Sequence, residues 1–145
     1  MPERCIVNTT DSIVRVHEGK RSASFKNQDR KEYQRIKIDN CVVREGIRAD
    51  YLINERGNAS ALIELKGKNV EHAAVQLFTS VEHDEVRPLL EDRVGFLVIC
   101  SRYPRFDSFV LKAKQKAARI YKAGFHVVCD RGEFDINKIT AIKDS

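Results

Sequence analysis

The stretch Arg48–Asn69, RADYLINERGNASALIELKGKN, decides how this chain is read. Two apolar runs flank Asn54–Asn58, NERGN, whose glycine and asparagines suit a turn. The stretch therefore predicts two short strands folded against each other, the second running through ASALIELKG to Gly67. Side chains alternate along a strand, so Glu64 and Lys66 share one face while Ile63 and Leu65 take the other. On the first strand Asp50 faces opposite to Ala49 and Tyr51. Pairing of the two strands brings Asp50, Glu64 and Lys66 to one strand end. The plain alternative is a solvated strand face with cross-strand ion pairs.

Downstream, Asn69 is placed to cap a helix, with His72 at its third position. Val70, Ala73, Ala74, Leu77 and Val81 form one apolar stripe at helical spacing. Pro88 and its neighbours break the chain. Val94–Cys100, VGFLVIC, is the most apolar run and reads as a buried, central strand. A second helix is expected from about Asp107 to Lys122, with Phe109, Ala113, Ala117 and Ile120 inward and Gly124 as its stop. FHVVC is a further strand, and the tail carries a weak pattern of Phe134, Ile136, Ile139 and Ile142.

Upstream, CIVN and SIVRVHEG read as strands, and Lys20–Glu32 as a polar loop. YQRIKIDNCVVREGIRADYLI reads as a hairpin turning at Arg44–Gly46. A two-residue turn puts Lys37, Asp39 and Cys41 on the face of Arg48 and Asp50, whereas a three-residue turn puts Asp39 on the other face. The fold class is α/β, a central mixed β-sheet flanked by helices, with residues 1–145 forming a single domain.

The chain has 145 residues, enough to bury a core without cross-links. Charged residues make up 32% and hydrophobic ones 42%, which excludes a disordered chain. A net charge of +5 is compatible with a polyanionic partner without demonstrating one. No targeting segment is read at the N-terminus, and the longest apolar run is too short for a bilayer. Cys5, Cys41, Cys100 and Cys129 form no CxxC pair, so reduced thiols and a cytoplasmic location are expected. With the four histidines they match no zinc spacing.

Two carboxylates brought together are unfavourable without a cation, and Mg²⁺ takes oxygen ligands while keeping several waters. Such a site suits phosphodiester hydrolysis, in which the metal polarises the phosphate and activates a water. Lys66 beside two carboxylates holds its proton tightly, so an electrostatic role suits it better than that of a base.

Asp50, thirteen residues, then Glu64-Leu65-Lys66 resembles the PD-(D/E)xK motif of restriction-endonuclease-like nucleases. GIRADYLI, ALIELKG and AAVQL together look most similar to the Holliday-junction-resolvase and Mrr-like branches, here over about Ile47–Val128. Gln76 matches the helical glutamine often found after the ExK strand. The resemblance implies a restriction-endonuclease-like core. It also implies that Asp50, Glu64 and the Leu65 backbone carbonyl bind Mg²⁺ or Mn²⁺, with Lys66 and Gln76 catalytic. The position before Asp50 is Ala49 rather than proline. The acidic residue that such nucleases often add from an N-terminal helix has no clear counterpart; Glu18, Glu32 and Asp39 are the candidates.

Lys112, Lys116, Arg119 and Lys122 form a basic stripe on the second predicted helix, and Arg102 and Arg105 precede it. These residues suit contacts to a phosphate backbone, and also suit an ordinary solvated face. The expected function is a metal-dependent nuclease acting on DNA, with a homodimer implied by the resemblance. The alternatives are a non-catalytic nucleic-acid-binding module or a protein-interaction module, such as an immunity or regulatory partner, on the same fold.

Overall fold

The structure, a computed structural model, describes residues 3–67, 69–101 and 108–142, with the side chains of Glu3, Lys66 and Gly67 outside the description. Nine strands and three α-helices alternate along it: β1 (Ile6–Thr9), β2 (Ile13–Glu18), β3 (Arg21–Lys26), β4 (Tyr33–Lys37), β5 (Tyr51–Glu55), β6 (Ala59–Gly67), α1 (Val70–Val81), β7 (Arg93–Cys100), α2 (Ser108–Lys116), β8 (Gly124–Cys129), β9 (Arg131–Phe134) and α3 (Ile136–Thr140). A short 3₁₀ turn, Arg87–Leu89, holds Pro88.

A six-stranded mixed sheet runs β1-β4-β5-β6-β7-β8, and a three-stranded sheet runs β2-β3-β9. In the larger sheet β1, β4, β5 and β6 pair antiparallel, and β6, β7 and β8 pair parallel. The pairing follows from the connections. NERGN is short enough to turn β5 back onto β6, whereas α1 carries the chain over the sheet so that β7 enters parallel to β6. Alternation sorts the core into two layers. Leu62, Phe96, Val98, Phe125 and Val127 pack with α1 and α2. Ile53, Ile63, Leu65, Leu97 and Ile99 pack with the smaller sheet and α3. Among the described residues no helix is long and apolar enough to cross a membrane.

β6 and α1 match the sequence expectation closely. The side chain of Asn69 accepts the His72 N–H at 3.2 Å, and all five residues of the predicted stripe are buried. β7 lies inside the sheet, between β6 and β8.

Several expectations are corrected. Lys20–Glu32 is not simply a loop: Arg21–Lys26 forms β3, paired with β2, with Ala23 and Phe25 fully buried. Two small serines alternate with those residues, so the strand lacks the apolar density that marks its neighbours. The predicted hairpin pairs as β4 with β5, but the chain does not turn at Arg44–Gly46. Residues 38–50 make a long excursion whose Val42 and Val43 return to the core. Neither turn length considered from the sequence therefore applies.

The second helix is also different. Ala113 and Ala117 are buried, but Phe109 and Ile120 are 44% and 53% exposed. After Lys116 the helix widens into a π segment, Ala117–Tyr121, which shifts the inward position from Ile120 to Tyr121. The Tyr121 ring then stacks on Phe78 at 5.4 Å. Lys122, at φ 54°, ends the helix in place of Gly124. Gly124 has another use. A Cβ there, or at Gly95, would lie 2.4 Å from the carbonyl oxygen of Ile139, so both glycines let α3 lie directly on the sheet.

Cys5 and Cys41 are not reduced thiols; they form a disulfide with Cα atoms 5.7 Å apart. The pairing Ile6↔Ile36 sets Cys5 opposite Lys37, and the Val42 N–H donates to the Lys37 carbonyl at 3.3 Å. That fold-back brings Cys41 beside Cys5. Cys100 and Cys129 remain thiols on adjacent strands, with Sγ atoms 3.9 Å apart.

Candidate active site

The pairing Tyr51↔Ile63 places Asp50 opposite Glu64, with the Asp50 N–H donating to the Ile63 carbonyl at 3.1 Å. Both carboxyl groups are buried, Asp50 at 5% and Glu64 at 3% exposure. Asp50 Oδ2 accepts the Leu65 N–H at 2.7 Å. That bond occurs where the register of β6 with β7 slips, between Glu64 and Gly67. A bulge re-aims the side chains around it, and here it falls on the Glu64-Leu65-Lys66 segment.

Glu64 is under electrostatic stress. Oε1 is buried without a hydrogen-bond partner. Burial, then the charge of Asp50 and a hydrogen bond with it, and then Glu18 and Asp39, push the Glu64 carboxyl up to about 9. Tyr51, one residue from Asp50, is raised by burial first and then by the charges of Glu18 and Asp50.

Glu55, at the other end of β5, shows what a structurally satisfied acid looks like here. It is 7% exposed, yet it accepts the Tyr33 hydroxyl at 2.8 Å and the Asn58 amide at 2.9 Å, and pairs with Lys31 at 3.6 Å. Two equally buried carboxyl groups in one sheet thus differ in a decisive way. One is neutralised by the protein, and the other sits beside more negative charge.

Carboxylate oxygens of Glu18, Asp39 and Asp50 lie within 4.8 Å of one another. Glu18, at the end of β2, is therefore the acid from the N-terminal region that reaches the site, and it comes from a strand rather than a helix. Glu32 lies elsewhere: its carbonyl accepts the Arg56 N–H and its side chain is 4.0 Å from the Arg56 guanidinium. Asp39 is half-buried, and Arg48 Nε donates to its Oδ1 at 2.7 Å.

Asp39, Asp50 and Glu64 open on a cleft of about 350 Å³ that is also lined by Arg48, His72 and Gln76, with Gly46 and Ile47. Gln76 is half-buried, and its Nε2 donates to the Arg48 carbonyl at 3.2 Å, tethering the backbone ahead of Asp50 to α1. The Ala49 N–H donates to Ser80 Oγ at 2.7 Å, a second tether in the same region. Nothing in the sequence singles out Arg48 or Ser80 for the site, although Ser80 lies one helical turn after Gln76 on α1.

Leu65 turns its side chain into the core, and its carbonyl belongs to the bulge segment. The side chain of Lys66 lies outside the described residues, as do Arg102 and Arg105. Lys112, Lys116, Arg119 and Lys122 are exposed, and none of them lines the cleft. Lys116 Nζ lies 5.0 Å from the centre of the Phe78 ring, and Lys112 Nζ lies 5.9 Å from that of Phe109.

A pH effect follows from Glu64. Its carboxyl is raised in the folded chain from an ordinary value of 4.5. The folded state therefore holds a proton that the unfolded state releases. Its stabilising contribution is complete below about 4.5 and is lost as pH rises through about 9. Urea unfolding in EDTA at several pH values across that window should show metal-free protein losing stability relative to Glu64→Gln. A constant difference between the two proteins across the window would contradict it.

Comparison with known proteins finds no family model, no curated protein and no solved structure that matches this chain.

Proposed function

We propose that the chain is a Mg²⁺- or Mn²⁺-dependent nuclease of the PD-(D/E)xK type that hydrolyses phosphodiester bonds of DNA. The observation that carries this reading is the buried Asp50–Glu64 pair, in which a Glu64 oxygen has no protein partner and further acids stand beside it. A protein that needed only a stable strand end would be better served by neutral residues there. Order and topology support a restriction-endonuclease-like core: Asp50 just before β5, Glu64-Leu65-Lys66 in antiparallel β6, then α1 and parallel β7 and β8.

The donor set fits a hard divalent cation, since it offers carboxylate oxygens and a strand carbonyl. Asp50, Glu64 and the Leu65 carbonyl would hold the ion, with Asp39 or Glu18 reached directly or through water. When bound, the ion polarises a phosphate oxygen and lowers the pKa of a coordinated water. The protein's part is orientation. Leu65 N–H fixes one Asp50 oxygen, Arg48 fixes one Asp39 oxygen, and Gln76 and Ser80 hold the backbone between them. In this reading Lys66 balances the negative charge that grows on the phosphate. A homodimer would let two sites act on two strands.

One observation favours a second reading, a binding module without cleavage. The Arg48 guanidinium already supplies positive charge to Asp39. Incubation with linear, circular, branched and single-stranded DNA separates the two. The nuclease should cut at least one of them with Mg²⁺ or Mn²⁺ and none with EDTA. Intact substrates in every metal, from protein whose folding has been verified, would overturn the enzyme reading.

A further inference from the structure

A second feature of the molecule has no place in the catalytic reading: a cleft of about 580 Å³ on the outer face of the three-stranded sheet. We infer that this groove is the track for the phosphodiester backbone of a DNA strand, leading it to the acidic site; the inference rests on the nucleic-acid reading above.

The groove follows from strand alternation. In β2, Val14 and Val16 point inward while Arg15 and His17 are exposed. In the middle strand the outward positions opposite them are small: Arg15 pairs with Ser24, and His17 with Ser22. On the far side Arg131 of β9 pairs with Ser22. A serine floor between longer side chains makes a trough, with Arg15, His17, Lys20 and Arg131 along it and Asp130 as the acid in its lining. Glu133, opposite Ser24, is a further exposed acid near it. Arg15 Nε donates to Ser24 Oγ at 3.1 Å, which holds the guanidinium across the floor. Arginine, lysine and serine are residues that contact phosphate oxygens without reading bases.

Position gives the groove its meaning. His17 faces the groove, and the next residue, Glu18, joins the carboxylate cluster with Asp39 and Asp50. Alternation turns His17 outward and Glu18 to the opposite face, so the groove and the acids lie on two sides of one strand end. A polyanion held along the cations is brought to that strand end, from which the acids are reached round the turn at Gly19 and Lys20. The α2 stripe has no such link: it flanks the opposite layer, and two of its lysines lie over aromatic rings.

Fluorescence anisotropy with short labelled single-stranded and duplex DNA, in EDTA to prevent cutting, tests the groove. Arg15→Ala/Lys20→Ala/Arg131→Ala should bind about tenfold or more weakly than wild type, with the slope of log K against log salt reduced by about 3. Arg15→Lys/Arg131→Lys should keep most of the affinity, and circular dichroism checks that each variant is folded. Undiminished binding by the triple alanine variant, a loss confined to Lys112→Ala/Lys116→Ala/Arg119→Ala/Lys122→Ala, or no binding by wild type would each overturn the inference. The two readings fail separately. Metal-dependent cutting with undiminished binding by the groove variant sinks the groove alone. Groove-dependent binding without cutting in any metal sinks the nuclease alone.

Discussion

Glu64→Gln is expected to abolish cleavage and, in the same protein, to raise the thermal stability of the metal-free form. Glutamine keeps the volume of glutamate and removes its ionisation. In the absence of metal, Glu64 is buried beside Asp50 with one oxygen unsatisfied, so it opposes folding as pH rises. An amide in its place cannot ionise and can donate to the Asp50 carboxylate, and a gain of roughly 5 °C in Tm is the scale for one favourable change of this kind. The proposed ion would meanwhile lose a charged ligand, and cleavage should fall at least about a hundredfold. Glu55→Gln is the internal control. That acid is held by Tyr33, Asn58 and Lys31, so the same substitution there should lower stability. Differential scanning fluorimetry with EDTA and with Mn²⁺, run beside a cleavage assay, reads both effects. A Glu64→Gln protein that is less stable without metal, or that cuts at the wild-type rate, would show that Glu64 is an ordinary structural acid.

Much of the site's frame was legible because it rests on local rules. NERGN turns the chain, alternation separates Glu64 from Ile63 and Leu65, and the Asn69 cap and apolar stripe define α1. Those features need no knowledge of distant chain. The rest depends on long-range register. Glu18 reaches Asp39 and Asp50 only because β2 joins β3 and β9 in a second sheet, which the serine-rich β3 hid. The Arg48–Asp39 pair depends on a long excursion in place of a hairpin turn. Phe109 and Ile120 have the right spacing for a straight helix and the wrong one for a helix that widens at Ala117. Periodicity carries no information about such a change of pitch.

The second large effect lies in the disulfide. Reduction, Cys5→Ser and Cys41→Ser should each destabilise the oxidised protein by about 4 kcal/mol, the loop-closure value for cysteines 36 residues apart. The bond joins the start of β1 to the excursion 38–50, which carries Asp39 and Arg48 toward the cleft. Its loss therefore frees one side of the site as well as lowering global stability. Metal affinity should fall with stability in the cysteine variants, whereas a core truncation such as Leu97→Ala, in the other layer, should lower stability by about 2–5 kcal/mol and leave metal affinity nearly unchanged. Urea unfolding with and without reductant measures the first quantity, and calorimetric titration with Mn²⁺ measures the second. Four titratable thiols in the native, unreduced protein would remove the premise, and so would a reductant-insensitive midpoint. If the coupling holds, a reducing compartment that opens Cys5–Cys41 also loosens Asp39 and Arg48. Redox state would then tune the cleft through the same segment that the sequence presented as a simple hairpin.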